Sequence, residues 1–262
     1  MSLELTILGC DGSYPGPGGA CSGYLVEGGD RLVWLDIGPG TLATFQQLSS
    51  FDRLDAVVVS HEHPDHSSDI DGLAVALRAG QEGGRRLPVY AAPGVRERSY
   101  FGQWEVLDWH VVGDGDRISL DGLELSFSRT DHGPVTLALR IDGGGASLGY
   151  SADSGPGWSL EALGPGLDLA LCEATWTARE EGRRGHHMSA RQAGESARAA
   201  GAAQMVVTHR WPTVAAEVVA AEAAEAFGAS VQQARPRARF VVGSTGEGAG
   251  RATTGDGAGR AS

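Results

Sequence analysis

Short apolar runs alternate along this chain with longer stretches in which apolar residues recur at helical spacing, which predicts an α/β fold. The run from Asp55 to Ser60 is apolar at its four inner positions, three of which are valine, and it predicts a strand buried on both faces. Other runs predict strands at Leu3–Leu8, Ser22–Glu27, Arg31–Asp36, Leu87–Ala91, Val106–Val112, Arg117–Leu120, Leu123–Thr130, Thr136–Asp142, Ala146–Ser151, Leu167–Cys172, Met205–Thr208 and Phe240–Val242. Helical spacing predicts helices at Thr41–Leu48, Ser68–Ala79, Ser189–Ala200 and Val214–Phe227.

The C-terminal segment from 243 to 262 breaks this pattern because it consists mostly of Gly, Ala, Thr and Ser. Such a segment cannot bury enough apolar surface to offset the entropy lost on ordering. We therefore expect one domain over residues 1–242 and a disordered Gly-rich tail over residues 243–262.

The excess of negative charge disfavours a nucleic acid as the binding partner. Lys and Arg total 21 against 33 Asp and Glu, a formal net charge of −12, whereas binding to a nucleic acid backbone relies on cationic side chains. Two small groups of arginines remain, and we interpret them as solvated surface charge: Arg179, Arg183 and Arg184, and Arg235, Arg237 and Arg239.

The three cysteines, Cys10, Cys21 and Cys172, form no CxxC pair, and an odd number favours a reducing compartment. Met1 to Leu8 lacks the basic start and long apolar run of a secretory signal. No run approaches the roughly 18 apolar residues of a membrane span. These features predict a cytoplasmic protein that does not cross a membrane.

The candidate chemistry lies in His61-Glu62-His63-Pro64-Asp65-His66, directly after the buried strand. His61 and His63 are two residues apart in an extended segment, so their side chains point the same way. Pro64 forces a turn, which lets Asp65 and His66 serve a second ion. Imidazole and carboxylate together suit zinc, although manganese or iron could occupy such ligands. A polar loop with coincidental histidines is the alternative, and this density of ligand types disfavours it.

Two metal ions need further ligands, and three candidates each follow a predicted strand: His132, Asp153 and His209. Loops at strand ends commonly gather a site in a layered α/β fold. His110 has no such placement, and we interpret it as structural or exposed.

The motifs together resemble the metallo-β-lactamase superfamily, and within it the ribonuclease Z-like and cyclic-nucleotide phosphodiesterase branch. The resemblance runs from Leu5 to Arg210 and rests on these segments: Leu35-Asp36-Ile37-Gly38, Ser60 to His66, Ser151-Ala152-Asp153-Ser154, Cys172-Glu173-Ala174-Thr175, His187-Met188-Ser189 with Arg191-Gln192-Ala193, and Thr208-His209. It implies an αββα four-layer sandwich with two zinc ions at one edge of the two sheets.

The resemblance also implies a role for each residue of the site. The first zinc would be held by His61, His63 and His132, the second by Asp65, His66 and His209, with Asp153 as the bridge. His187 corresponds to a catalytic histidine of the branch that is not a ligand, since Met188-Ser189 fixes the register despite the neighbouring His186.

A pair of zinc ions lowers the pKa of a shared water towards neutrality and so provides a nucleophile for hydrolysis. Asp65 is placed to orient that nucleophile or accept its proton, and His187 to stabilise phosphoryl oxygens or protonate the leaving oxygen. Asp36, Glu62 and Glu173 are candidates to orient the imidazoles, with helix caps and loop hydrogen bonds as equally good interpretations.

The short segment between His132 and Asp153 limits the size of the expected substrate. Ribonuclease Z carries an arm that grips transfer RNA between the counterparts of His132 and Asp153, and here only 20 residues separate them. We therefore expect a small phosphodiester, with a 3',5'-cyclic nucleotide first, and the loop containing Ser13, Tyr14 and Pro15 resembles that of actinobacterial cyclic-nucleotide phosphodiesterases.

Other functions stay open at this point. They are a transfer RNA 3'-processing endoribonuclease, a lactone, lactam or thioester hydrolase that polarises a carbonyl with the same metals, and a metal-dependent binding module. Members of the branch are commonly dimeric, so a homodimer is one expected assembly.

Overall fold

The computed structural model describes residues 2–80, 85–101, 104–182 and 186–243. Its strands, in chain order, are β1 (Leu3–Gly9), β2 (Gly23–Gly28), β3 (Arg31–Leu35), β4 (Ala56–Val59), β5 (Leu87–Ala91), β6 (Leu107–Val111), β7 (Arg117–Leu120), β8 (Leu123–Arg129), β9 (Leu137–Gly143), β10 (Ala146–Tyr150), β11 (Leu169–Glu173), β12 (Gln204–Thr208), β13 (Gln232–Gln233) and β14 (Arg239–Val242). The α-helices are α1 (Thr41–Leu48), α2 (Pro64–Ser67), α3 (Asp69–Gly80), α4 (Val95–Arg98), α5 (Ala190–Ala199) and α6 (Ala216–Phe227).

The strands form two mixed sheets of seven, in the orders β14-β1-β2-β3-β4-β5-β6 and β13-β12-β11-β10-β9-β8-β7. In the first sheet the pairs from β14 to β3 are antiparallel and those from β3 to β6 are parallel. In the second, β7 to β10 pair antiparallel and β10 to β13 pair parallel.

Three clusters of buried apolar residues hold the two sheets and the helices together as layers. The largest core cluster joins residues of both sheets, such as Leu5 and Val33 of the first and Leu139 and Leu171 of the second. A second cluster packs α1 and α3 against the outer face of the first sheet, and a third packs α5 and α6 against the second. The predicted αββα four-layer sandwich is therefore confirmed.

The sheet topology also explains why candidate ligands far apart in sequence meet. Strands β10, β11 and β12 run parallel, so their carboxyl ends lie at one edge, and β8 runs the same way because two antiparallel pairings separate it from β10. The loops after β8, β10 and β12 carry His132, Asp153 and His209 to that edge.

The structure refines the predicted elements. The helix expected at Ser68–Ala79 is preceded by the separate turn α2, and short pieces such as β13 and α4 lack enough apolar periodicity to be predicted. Residues 244–262 of the predicted tail lie outside the described residues. Within the described ranges, no helix combines the length and apolarity that crossing a membrane requires.

Candidate metal centre

The histidine-rich loop leaves β4 and enters a helical turn at Pro64. Pro64 is at the first position of α2, where its missing N–H leaves no hydrogen bond unmade. His61 and His63 precede the turn, whereas Asp65 and His66 lie within it. The backbone change at Pro64 separates the two pairs, which join different clusters of ligand-type side chains.

The first cluster contains His61, His63, His132 and Asp153. His63 Nδ1 lies 3.1 Å from His61 Nε2 and 3.2 Å from His132 Nε2. Asp153 Oδ2 is 3.6 Å from His61 Nε2 and 3.9 Å from His132 Nε2.

The second cluster contains Asp65, His66, Asp153 and His209. Asp65 Oδ2 is 3.1 Å from His209 Nε2 and 3.6 Å from His66 Nε2. Asp153 Oδ1 is 3.1 Å from His66 Nε2 and 3.3 Å from His209 Nε2. The two oxygens of Asp153 therefore face different clusters, as expected of a carboxylate that bridges two ions.

Two features of these donor sets fit metal ions: the distances between the donor atoms, and buried polar atoms that lack a hydrogen-bond partner. Nitrogen and oxygen donors around a tetrahedral zinc lie about 3.3 Å from one another. In the described part of the chain, His66 Nε2 and Asp153 Oδ1 are buried without a hydrogen-bond partner although only 3.1 Å separates them. Burying such atoms is costly unless a ligand satisfies them, and a cation would satisfy both.

The imidazoles of the first cluster are suited to ligation because burial holds them neutral. Burial lowers the pKa of His61 well below its usual value, and it also lowers the pKa of His63 and of His132. A neutral ring offers a lone pair to a metal, whereas a protonated ring does not.

The second cluster is dominated by charge pairing. Burial opposes the ionised forms of Asp65 and Asp153, but His66 and His209 hold the pKa of both carboxyls well below the usual range. Burial likewise opposes a charge on His66, yet Asp153, Asp65 and Asp36 raise its pKa well above the usual value. The cluster thus attracts positive charge, which a metal ion supplies in place of the proton.

Four imidazoles that face the clusters through Nε2 present Nδ1 to an oxygen atom. The pairs are His61 with Ser60 Oγ at 3.0 Å, His66 with Asp36 Oδ2 at 2.7 Å, His132 with the His186 carbonyl at 2.7 Å, and His209 with Thr175 Oγ1 at 2.9 Å. An Nδ1–H donor fixes the ring orientation and leaves Nε2 free to bind a metal.

Asp36 anchors this outer network. Its carboxylate accepts hydrogen bonds from the Ser60 amide at 2.7 Å, the Ser60 hydroxyl at 2.8 Å and the Tyr150 hydroxyl at 2.6 Å, in addition to His66. Because the Ser60 hydroxyl donates to Asp36, its lone pairs accept from His61 Nδ1–H. One buried carboxylate therefore orients imidazoles of both clusters.

His187 lies beside the clusters without belonging to either set of four. Its Nδ1 is 3.0 Å from Glu173 Oε1, and its ring stacks on His209 with centroids 5.4 Å apart. Burial lowers the pKa of His187, but the Glu173 carboxylate outweighs burial and raises it to about 9. The Glu173 carboxylate therefore favours the imidazolium form of His187 and orients its ring.

Glu62 lies elsewhere. Its Oε2 is 2.9 Å from Arg98 Nε, so this carboxylate pairs with α4 and not with the imidazoles. Successive side chains of an extended segment point to opposite sides, so Glu62, between His61 and His63, points away from the clusters. It therefore does not orient the imidazoles.

The remaining polar candidates also lie away from the clusters. His110 is exposed and stacks on Tyr90. The described arginines of the two basic groups are exposed, in keeping with solvated charge: Arg179, Arg235, Arg237 and Arg239. Arg183 and Arg184 lie outside the described residues.

Several contacts of the site have no sequence signature. The Ser13 main-chain N–H donates to Asp65 Oδ2 at 2.8 Å, and a backbone donor leaves no trace in residue type. Tyr150 was not predicted either, although its position at the end of a strand that leads to Asp153 is a usable signal. Five of the seven described non-glycine residues with positive φ lie at the site: Ser13, Asp36, Ala152, His186 and His209. Such strained backbone persists where surrounding contacts hold it.

Comparison with known proteins places this geometry in a family. A beta-lactamase superfamily domain matches residues 31–210. The probable metallo-hydrolase YhfI of Bacillus subtilis is 30% identical over 211 residues, which cover 79% of this chain and 86% of YhfI. The YhfI crystal structure superposes with a TM-score of 0.87 at 26% identity, covering 92% of this chain and 100% of YhfI.

Two further relatives come from mycobacteria. The uncharacterized protein Rv1339 of Mycobacterium tuberculosis is 33% identical over 241 residues, covering 87% of this chain and 88% of Rv1339. Ribonuclease Z of Mycobacterium bovis is 26% identical over 244 residues, covering 81% and 87% of the two chains. The chain therefore belongs to the metallo-β-lactamase superfamily and is a relative of its metallo-hydrolases.

Proposed function

We propose that this protein is a dinuclear zinc-dependent phosphodiesterase that acts on a small substrate, with a 3',5'-cyclic nucleotide as the first candidate. The observation that carries the proposal is the position of His187, which the Glu173 carboxylate holds at 3.0 Å beside two clusters that share Asp153. A phosphodiester has a poor alkoxide leaving group, and a positioned imidazolium is the kind of acid that protonates it.

The ligand assignment is part of the proposal. One ion would be held by His61, His63, His132 and Asp153, and the other by Asp65, His66, His209 and Asp153. When bound, two such ions supply Lewis-acid stabilisation of phosphoryl oxygens and lower the pKa of water so that it becomes a nucleophile at neutral pH.

The side chains of this chain then have distinct tasks. Asp65 accepts the Ser13 amide at Oδ2, which fixes the carboxylate where it can orient the attacking water or accept its proton. His187 directs Nδ1–H to Glu173, which leaves Nε2–H as the donor to the leaving oxygen. Glu173 itself is buried and accepts a hydrogen bond from the Ser154 amide, which fixes the carboxylate beside His187.

The size of the substrate is inferred from the segment between His132 and Asp153. Strands β9 and β10 occupy it as a hairpin, paired within the second sheet. A protruding arm of the kind that grips transfer RNA therefore has no chain to form it there. The net charge of −12 also disfavours a long polyanion.

The relatives are consistent with phosphodiester chemistry, since a ribonuclease cleaves phosphodiester bonds and ribonuclease Z matches over most of both chains.

The test is a substrate panel measured with one zinc-loaded preparation and a chelated control. It should contain purine and pyrimidine 3',5'-cyclic nucleotides, bis(p-nitrophenyl) phosphate, precursor transfer RNA, a lactone, a β-lactam and a thioester. We expect chelator-sensitive hydrolysis of the small phosphodiesters. Turnover of carbonyl substrates without phosphodiesterase activity would overturn the proposal, and efficient cleavage of transfer RNA would overturn its size limit.

A further inference from the structure

Two aromatic rings lie next to the second cluster and have no part in the chemistry described above. Tyr14 and Trp211 meet edge to face, with ring centroids 5.9 Å apart and an interplanar angle of 71°. Tyr14 is 41% exposed, and Trp211 is half-buried against Trp176, whose ring centroid is 4.5 Å away. The pair forms a supported aromatic surface that is open to solvent on the Tyr14 side.

This surface is connected to the cluster through one residue. Ser13 donates its amide N–H to Asp65 Oδ2 at 2.8 Å, and its hydroxyl accepts a hydrogen bond from Trp211 Nε1–H at 2.8 Å. Ser13 has φ of 61°, a conformation that is costly for serine and is maintained by these contacts. Trp211 also follows the ligand candidate His209 by two residues. The rings are thus fixed relative to Asp65 and His209.

A second set of contacts fixes the loop that carries Tyr14. The Gly12 amide donates to the Arg210 carbonyl at 2.9 Å, and Asp11 forms a β-bridge with Arg210. A Cβ atom on Gly12 would lie 2.4 Å from the His209 carbonyl oxygen, so the loop and the His209 segment are packed without space between them. These contacts fix the position of the loop, and with it Tyr14, relative to His209.

We propose that Tyr14 and Trp211 form a binding platform for the nucleobase of the substrate, an inference that rests on the proposed phosphodiesterase function. A phosphodiester group held at the clusters brings the remainder of the substrate to the neighbouring surface. Every base presents a flat π-face, which stacks on aromatic side chains without needing cationic contacts. Such recognition suits a chain with a net charge of −12, because it adds affinity without a basic groove.

The test compares a purine nucleoside 3',5'-cyclic monophosphate with its base-free analogue, 1-deoxyribose 3,5-cyclic phosphate. Phosphorus NMR follows hydrolysis of both by the zinc-loaded wild type and by Tyr14→Ala, Tyr14→Phe and Tyr100→Ala. Tyr100 is 83% exposed and belongs to a different loop, which makes it the matched control. For Tyr14→Ala we expect kcat/KM for the nucleotide to fall roughly tenfold, mainly through KM, with the base-free analogue unaffected. Tyr14→Phe should keep the wild-type preference, as should Tyr100→Ala.

Three other outcomes would each contradict the platform or the function on which it rests. If the wild type hydrolyses both compounds with equal kcat/KM, the platform is refuted while the phosphodiesterase function stands. If Tyr14→Ala slows both compounds equally, Tyr14 acts on Asp65 through the loop and not on the base. If neither compound is hydrolysed, the proposed cyclic-nucleotide function fails, and calorimetric titration with the purine nucleoside 5'-monophosphate and 1-deoxyribose 5-phosphate decides the platform separately. Equal binding of these two probes, including no binding of either, would refute it.

Discussion

Asp36 Oδ2 lies 2.7 Å from His66 Nδ1, and both side chains are fully buried. The carboxylate fixes the ring and raises the basicity of the nitrogen that faces the second cluster. We predict that Asp36→Asn lowers zinc affinity about 10- to 100-fold, because the amide keeps the shape but loses the charge. Competition with a chromogenic chelator measures this affinity.

Asp30→Asn is the matched control for that substitution. Asp30 is exposed in the turn between β2 and β3, so the same change of charge there should leave zinc affinity unaltered. Equal affinity of Asp36→Asn and the wild type would show that the Asp36 to His66 contact does not tune the metal.

Asp153 should control both ions, because its two oxygens face different clusters. We predict that Asp153→Ala depletes both zinc ions and abolishes hydrolysis, whereas His63→Ala depletes mainly the ion of the first cluster. Elemental analysis of the purified variants gives zinc per chain. An Asp153→Ala protein that keeps two zinc ions would refute the bridging role.

Much of this site was predictable from the sequence, because the positions of the candidate ligands follow from the local backbone of one loop and from the order of strands. Four candidate ligands come from one loop, where the alternation of extended backbone and the turn at Pro64 dictate which side chains share a direction. His132, Asp153 and His209 were predictable because each follows a predicted strand, and the three strands, β8, β10 and β12, run in the same direction and so end at a common edge. The fold class followed from the same alternation of strands and helices.

What sequence could not supply depends on contacts between distant segments. The Ser13 amide reaches Asp65 only after the N-terminal loop packs against the segment following His209, and any residue type would provide that N–H. The role of Glu62 was undecided because its pairing with Arg98 depends on where α4 packs. The choice between Nδ1 and Nε2 of each ring is likewise set by tertiary partners.

We expect His187 to be dispensable for zinc binding, unlike the candidate metal ligands. We predict that His187→Ala retains both zinc ions and that kcat for a phosphodiester falls about 10²- to 10⁴-fold, the usual contribution of a positioned acid. Zinc analysis and steady-state kinetics on the same preparation test both parts. Loss of zinc from this variant would assign His187 a structural role in the centre.

The pH dependence should report the Glu173 to His187 contact. His187 acts as an acid only when protonated, so activity should fall as pH rises through the pKa of this imidazole. Glu173 raises that pKa, to about 9 in the metal-free chain. Glu173→Gln removes the negative charge, so the alkaline limb of the kcat profile should move to lower pH. His187→Ala should lack this limb. An unmoved limb in Glu173→Gln would mean that another group controls it.

Gly38 shows how tightly the backbone is packed around the centre. A Cβ atom at this position would lie 2.0 Å from the Asp65 carbonyl oxygen, and a backbone atom cannot rotate away. We predict that Gly38→Ala lowers the free energy of unfolding by about 1–3 kcal/mol and weakens zinc binding, since relief of the clash displaces Asp65. Urea denaturation and chelator competition measure the two effects. Gly80→Ala is the matched control: among the described residues, a Cβ there meets nothing within 4 Å at the end of α3, so stability should hold or rise by up to about 1 kcal/mol. Equal stability and zinc affinity of Gly38→Ala and the wild type would show that the Asp65 segment tolerates displacement, contrary to the close packing described here.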